Sequence, residues 1–433
     1  MKKTILIPSN KCTQNSSVKY GDHLNLLTCR FCDSKLVSFC DLGRSPLANS
    51  FFKKNQLRGK EPFYPLHAYV CEDCYLVQLE EIESPENIFQ NYSYFSSYSS
   101  TWLKHCQDYV NEMVSRFDLA SNSQVVEIAS NDGGLLNFFK EKEIPVLGIE
   151  PAKNIANKAE AIGVPTISRF FNSQLAQELV SSKKQADLLI GNNVLAHVPN
   201  LNEFVSSLKM ILKSNGVITL EFPSLLELIE KNQFDTIYHE HYSYFSYLTV
   251  EKIFNHHGLN LFDVEELKTH GGSFRIYVQH QKNSDNRISE SISRIKLREK
   301  KYGLDKLDSY QNFSKKVEII KYQLRQFLTK AKKSGKSIVA YGAPAKGNTL
   351  LNYCGIGVDL IDYTVDLNPH KQGRFLPGTH IPIFHPEKIK TTKPDYLLIL
   401  PWNIKDEIME QMKHIIHWGG KFITPIPEIK VEP

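Results

Sequence analysis

Between about residues 100 and 280, short apolar runs suited to β-strands alternate with stretches of helical spacing. The runs are VVEIAS at 125 to 130, VLGIE at 146 to 150, DLLIGN at 187 to 192 and GVITLEF at 216 to 222. Such alternation implies crossover connections and a mostly parallel sheet covered by helices, so the chain is expected to be α/β. The last stretch, from about 336, repeats the pattern with SIVAYGAP at 337 to 344, DYTVDLNP at 362 to 369, DYLLIL at 395 to 400 and KFITPIP at 421 to 427. A second, smaller α/β unit follows from the same argument. The 433 residues allow two to three domains. The expected boundaries are a loose leader at 1–27, a small turn-rich module at 28–85, the first α/β domain at 86–283, a helical linker at 284–335 and the second α/β domain at 336–433.

The turn-rich module has too little apolar material for a core of its own, so something else must hold it together. Cys29 and Cys32 form one CxxC pair and Cys71 and Cys74 another, with 38 residues between the pairs. Two intervening residues let a tight knuckle aim both thiolates at one ion, and two knuckles complete a tetrahedral four-cysteine zinc site. Four thiolates close the coordination sphere, so this zinc is expected to be structural. Cys12, Cys40, Cys106 and Cys354 fall outside the pattern and read as ordinary thiols.

Composition narrows the rest. With 41% hydrophobic and 23% charged residues the chain can bury several cores. A formal charge of +5 is far from the basic stripe of a dedicated nucleic-acid binder. No run of about 18 apolar residues occurs, and the start has only a four-residue apolar stretch. A cytoplasmic protein without membrane or nucleic-acid partners is the expectation, acting as a monomer or weak homo-oligomer.

In an open parallel sheet, ligands sit over the carboxyl ends of the strands. The segment from Val125 to Gly134 runs from a buried strand into a helix start and carries Glu127, Ala129, Asn131, Asp132 and Gly133. Glu150 and Pro151 end the next strand, and Asn192 and Asn193 follow a later one. The loop lacks GxGxxG, which weakens a dinucleotide reading. In order and spacing, these residues resemble the class I S-adenosylmethionine-dependent methyltransferase pattern.

Tyr238, His239, Glu240, His241 and Tyr242 place five proton-handling side chains in succession. The two histidines would share one face of a strand and diverge on a helix, so one of them is expected to enter a cleft. HEH lacks the i, i+4 spacing of a helical HExxH zinc site. A histidine with an ordinary pKa near 6.5 suits removal of a proton from carbon beside a carbonyl, given a donor for the enolate. His270 to Arg275, HGGSFR, adds a glycine turn able to back a substrate, with Arg275 able to face an anion. Residues 92 to 102, dense in hydroxyls and aromatics, read as a lid. Lys346 in the strand-to-helix loop YGAPAKGNT could serve a phosphate, although the loop is no Walker A sequence.

Taken together, the paired CxxC knuckles, YSYFSS, VEIASNDG, NNVLAHVPN, EFP, FDTIYHEHYSYFS, HGGSFR, GAPAKGNTLLNYCG and DYTVDLNPHKQG, in this order, resemble the nucleotide-sugar C-methyltransferases over about residues 28 to 430. The resemblance implies a zinc-binding N-terminal domain, a central class I S-adenosylmethionine methyltransferase domain of Rossmann-like fold, and a C-terminal Rossmann-like domain without the methyl donor. Its substrate would be a dTDP-linked 4-keto-6-deoxysugar. It implies His241 as the base, Tyr238 and Glu240 flanking the sugar, His197 nearby and Tyr92 closing from the lid. Proton abstraction at C-3 or C-5, beside the C-4 ketone, would precede methyl transfer, with C-3 favoured. Two rivals remain open on the residues: a methyltransferase acting on RNA or protein through its zinc knuckles, and a non-catalytic nucleotide-sugar binding protein.

Overall fold

The computed structural model describes residues 27–89, 97, 100–283 and 286–433. Tyr92, its neighbours in the expected lid, Cys12 and nearly all of the expected leader lie outside the described residues.

Strands β1 (Leu36–Ser45), β2 (Tyr64–Cys71) and β3 (Val77–Leu79) form an antiparallel meander on the zinc knuckles. The central sheet begins with β4 (Val125–Ile128), β5 (Val146–Ile149), β6 (Thr166–Ile167), β7 (Ala186–Asn192) and β8 (Leu212–Pro223), all parallel. Next, β9 (Ser243–Tyr244) leaves this domain and pairs with β3. Then β10 (Leu259–Leu267) and β11 (Ser273–His280) return as a hairpin, β11 lying antiparallel to both β10 and β8. The central order is β10-β11-β8-β7-β4-β5-β6. Connections diverge at β4, which has β5 on one side and β7 on the other, so the crevice outside these strand ends is the topological switch point.

Every residue of β4, Val-Val-Glu-Ile, is buried. Val125 faces one helical layer with Leu188 and Ile190, while Val126 and Ile128 face the other with Leu189, which is the period-two division of a sheet covered on both faces. Helix boundaries follow local chemistry. Asn200 and Ser246 accept backbone N–H groups at the starts of Leu201–Ile211 and Tyr247–His256, and left-handed Gly303 stops Glu290–Tyr302.

The second α/β unit contains β12 (Ile338–Tyr341), β13 (Thr364–Val365), β14 (Ile383–Phe384), β15 (Tyr396–Ile399), β16 (Lys421–Thr424) and β17 (Lys430–Glu432), in the order β14-β13-β12-β15-β16-β17. Only β17 is antiparallel to its neighbour. Between the α/β units, helix Phe313–Lys333 presents Val317, Ile320, Leu324 and Leu328 to one continuous core. Phe39, Leu66 and Val70 of the meander share that core, and Phe39 stacks on Phe313 at 4.8 Å. The zinc module thus leans on apolar surface supplied by the rest of the chain.

Arg275 meets anions, but they belong to the protein. It reaches Glu221 at 2.7 Å, Glu265 at 2.9 Å and Glu112 at 3.4 Å, and lies over the Tyr109 ring. Glu221 also takes His105 at 3.0 Å and is only 1% exposed. The register of β11 against β8 places Arg275 directly beside Glu221, which a reading of HGGSFR as a ligand turn did not foresee. Arg275→Met should strand the Glu221 carboxylate and lower stability by about 3–5 kcal/mol, read as a lower urea midpoint.

Candidate active site

A cavity of about 660 Å³ opens over the switch point. Its walls come from the central sheet, the 46–52 loop of the zinc module, the YHEH turn and the start of helix Ala345–Cys354.

At the sheet end, Glu127, Ala129, Asn131, Glu150, Pro151, Asn192 and Asn193 all line the cavity. Ala129 and Asn131 have positive φ of 57° and 49°, so the turn after β4 is tightly wound for residues with side chains. Glu150 holds it, accepting the N–H of Asn131 at 3.1 Å and of Ala152 at 2.9 Å. Asp132 and Gly133 stand behind this wall. Asp132 accepts the N–H and hydroxyl of Ser97, and Gly133, with φ 78°, leaves only 3.0 Å between a would-be Cβ and that of Ala159. Glu127 Oε2 and both amide atoms of Asn192 are buried without a hydrogen-bond partner among the described residues. Burial, then the nearby carboxylates of Glu150, Asp132 and Glu221, push the Glu127 pKa well above the ordinary range. Orphaned polar atoms in a cavity wall fit a ligand rich in donors and acceptors.

At the opposite end stands the YHEH segment, a turn closed by the His241 N–H donating to the Tyr238 carbonyl at 2.8 Å. Neither strand nor helix, it separates its histidines. His239 Nε2 meets the Pro65 carbonyl at 3.0 Å, while His241 lines the cavity with Tyr238 and Glu240. His241 Nδ1 lies 2.9 Å from the Thr236 carbonyl, which can only accept, so Nδ1 carries the proton and Nε2 a lone pair. Tyr238 donates its hydroxyl to that lone pair at 2.9 Å. His197 Nδ1 is likewise protonated toward the Glu240 carbonyl at 2.6 Å, and its ring lies 4.8 Å from that of His241. Burial pulls His197 down to about 4; burial and the neighbouring His197 hold His241 well below 6.5. Both rings are neutral at pH 7.

Glu240 accepts the Asn49 amide at 2.6 Å, and burial lifts its pKa to about 7. Lys346, on the far wall, donates to Asn403 at 2.9 Å and stands over Trp402. Nothing in the residues marks Asn49, because SPLANS reads as an ordinary turn; it becomes visible only when the zinc module docks. Lys371 lay within a recognised motif but carried no assigned role, and it also reaches the cavity.

In the zinc module the four sulfurs of Cys29, Cys32, Cys71 and Cys74 lie within 4.8 Å of one another, with Cys29–Cys74 and Cys32–Cys71 at 3.5 Å. Tetrahedral bonds of about 2.3 Å put sulfurs about 3.8 Å apart, so the cluster fits a zinc ion. Left-handed Asp33 and Tyr75 turn the chain after each pair.

Comparison with known proteins places the chain in a family. A family model described as a C-methyltransferase C-terminal domain matches residues 268–427, one described as a methyltransferase domain matches 100–264, and one described as "Putative zinc binding domain" matches 29–89. The C-methyltransferase NovU of Streptomyces niveus is 34% identical over 407 residues, covering 93% of this chain and 96% of that protein. The chain belongs to this C-methyltransferase family. It is an S-adenosylmethionine-dependent methyltransferase with a class I central domain and a four-cysteine zinc module. Among solved structures, magnesium protoporphyrin IX methyltransferase from Synechocystis PCC 6803 with bound SAH is 15% identical, covers 41% of this chain and 82% of that one, and has a TM-score of 0.31. The PH0226 protein from Pyrococcus horikoshii OT3 is 14% identical, covers 46% and 99%, and has a TM-score of 0.36. No helix among the described residues is long and apolar enough to cross a membrane.

Two expectations follow. The purified enzyme should carry one zinc ion by elemental analysis, and Cys71→Ala should lose the metal and melt at a lower temperature. Glu240 has a folded pKa of about 7 against 4.5 unfolded, so its ionisation destabilises the fold increasingly as pH rises from 4.5 to 7. Glu240→Gln should therefore match wild type near pH 4.5 and exceed it by about 3 kcal/mol above pH 7, as measured by paired urea titrations.

Proposed function

We propose that the enzyme methylates a dTDP-linked 4-keto-6-deoxysugar at the carbon α to the ketone, C-3 by preference, in deoxysugar biosynthesis. The observation that carries this reading is the fixed tautomer of His241, whose Nε2 lone pair lies at the cavity wall beside Tyr238. A neutral imidazole so placed, its lone pair shared only with the exchangeable hydroxyl of Tyr238, suits a C–H acid activated by a ketone.

In the proposed reaction His241 Nε2 takes the C-3 proton. The C–H bond breaks, an N–H bond forms, and the electron pair moves onto the ketone oxygen. The incoming proton releases the Tyr238 hydroxyl from Nε2, leaving it to hydrogen-bond that oxygen. The protonated imidazole keeps its Nδ1–H on the Thr236 carbonyl, so the ring does not turn between steps. Glu240, braced by Asn49, and His197 would flank the sugar. Glu127, Asn131, Glu150, Asn192 and Asn193 would hold the methyl donor, which supplies an electrophilic methyl group to the nucleophilic carbon. A small-molecule acceptor also suits a cavity enclosed by three units of the chain, and a monomer or weak homo-oligomer suffices for it.

The test is NMR of a dTDP-4-keto-6-deoxysugar in heavy water with the zinc-loaded enzyme, before and after adding S-adenosylmethionine. Wild type should exchange the C-3 proton and then gain a carbon-bound methyl group. His241→Ala should abolish both while binding the donor normally, and Tyr238→Phe should lower kcat more than it alters KM. Normal turnover by His241→Ala would remove that residue from the mechanism; no exchange by wild type across such sugars would remove the substrate class.

A further inference from the structure

A third histidine faces the cavity, and neither the proton abstraction nor donor binding uses it. His270 occupies the turn between β10 and β11. Because β10 and β8 are both antiparallel to β11, they run in the same direction, and this turn opens on the same side of the sheet as the strand ends that line the cavity.

Its position is heavily determined. His270 has a left-handed backbone, φ 55° and ψ 17°. The Gln233 amide donates to the Gly271 carbonyl at 2.8 Å, the Ser224 N–H to the Gly272 carbonyl at 3.0 Å, and the Ser273 hydroxyl to the Thr269 carbonyl at 3.0 Å. A Cβ on Gly271 would come within 2.5 Å of the Trp402 ring, and one on Gly272 within 2.6 Å of Glu227. The backbone is thereby clamped between the two α/β units, in a conformation uncommon for residues with a side chain.

The side chain that this clamp presents is uncommitted. His241 gives Nδ1 to Thr236 and Nε2 to Tyr238, and His197 gives Nδ1 to Glu240. The His270 ring has an aromatic neighbour, Trp102, at 6.4 Å, and neither of its nitrogens has a hydrogen-bond partner among the described residues. It stands within electrostatic reach of both His241 and Lys346. Burial, then Lys346, brings its pKa down to about 4, so it enters the cavity as a neutral ring with one N–H and one lone pair.

We propose that His270 is a further catalytic residue, whose ring N–H hydrogen-bonds the acceptor's ketone oxygen as negative charge develops there. This rests on the enolate reading above. When the C–H pair moves onto oxygen, His270 keeps its proton and only its hydrogen bond strengthens; the proton taken from carbon goes to His241. A neutral donor suits this task, since an N–H carried on a clamped backbone turn can stabilise the oxyanion with little reorganisation.

The test measures C-3 proton exchange in heavy water, kcat, KM and S-adenosylmethionine affinity for wild type, His270→Phe and His270→Asn, all zinc-loaded. Phenylalanine keeps a ring beside Trp102 but no donor; asparagine keeps a donor and tolerates the left-handed backbone. His270→Phe should lose about 100-fold or more in exchange and in kcat, with KM and donor affinity little changed, and His270→Asn should recover at least tenfold of that loss. Wild-type exchange by a His270→Phe variant that binds the donor normally overturns the assignment, as does His270→Asn exchanging no faster than His270→Phe, or a loss confined to KM. Wild type itself failing to exchange would instead overturn the substrate reading together with this one.

Discussion

Convergence of four cysteine sulfurs is the constraint on which the active site depends. Between the first two cysteines, Arg30 threads its guanidinium to Gln78, to the carbonyls of Leu79 and Pro199, and over the ring of Tyr242. Burial drags its pKa down to about 10, which still leaves it cationic at pH 7. One knuckle therefore grips the strand that pairs with β9, the loop that follows His197 and the residue next to His241. Asn202 adds a bond to the Phe31 carbonyl, and Thr249 one to that of Cys74. Zinc held by these cysteines would therefore act away from the cavity, by fixing the knuckle that braces the YHEH turn.

That frame also sets the charge state of the site. Three imidazoles lie in one cavity, and protonating any of them would require burying a cation beside its neighbours. Carbonyl acceptors on Nδ1 then decide which nitrogen of His197 and His241 holds the proton. The Glu240 carboxyl is lifted by the same burial that lowers the histidines. Desolvation thus moves acids and bases in the cavity wall in opposite directions, each toward its neutral form, and buried Lys346 is lowered by the same burial while nearby Asp235 opposes the shift.

Much of this was legible in the residues. The four cysteines, the strands from VVEI to GVITLEF, and the glutamates and asparagines of the sheet end are all marked by spacing or by their place after an apolar run. What the sequence hid depends on tertiary register. Asn49 becomes a site residue only because the zinc module folds over the crevice, and Arg275 reads as a ligand for anions until β11 settles beside β8 and Glu221. His239 and His241 cannot be told apart by periodicity, since the turn that parts them has no period. Asp132 and Gly133 sit within the right motif but one layer behind its surface, where they brace Ser97 and pack on Ala159.

The donation of β9 to the meander has a consequence for how the molecule comes into being. Residues lining one cavity run from Leu47 to Lys371, and the helix that starts at Ala345 reaches back to the carbonyls of Ala48 and Ile237 through Asn348 and Thr349. A ribosome-bound chain that has completed its central sheet still lacks the far wall of the pocket. The cavity is therefore complete only when the last α/β unit has closed on the zinc module and the central domain that precede it.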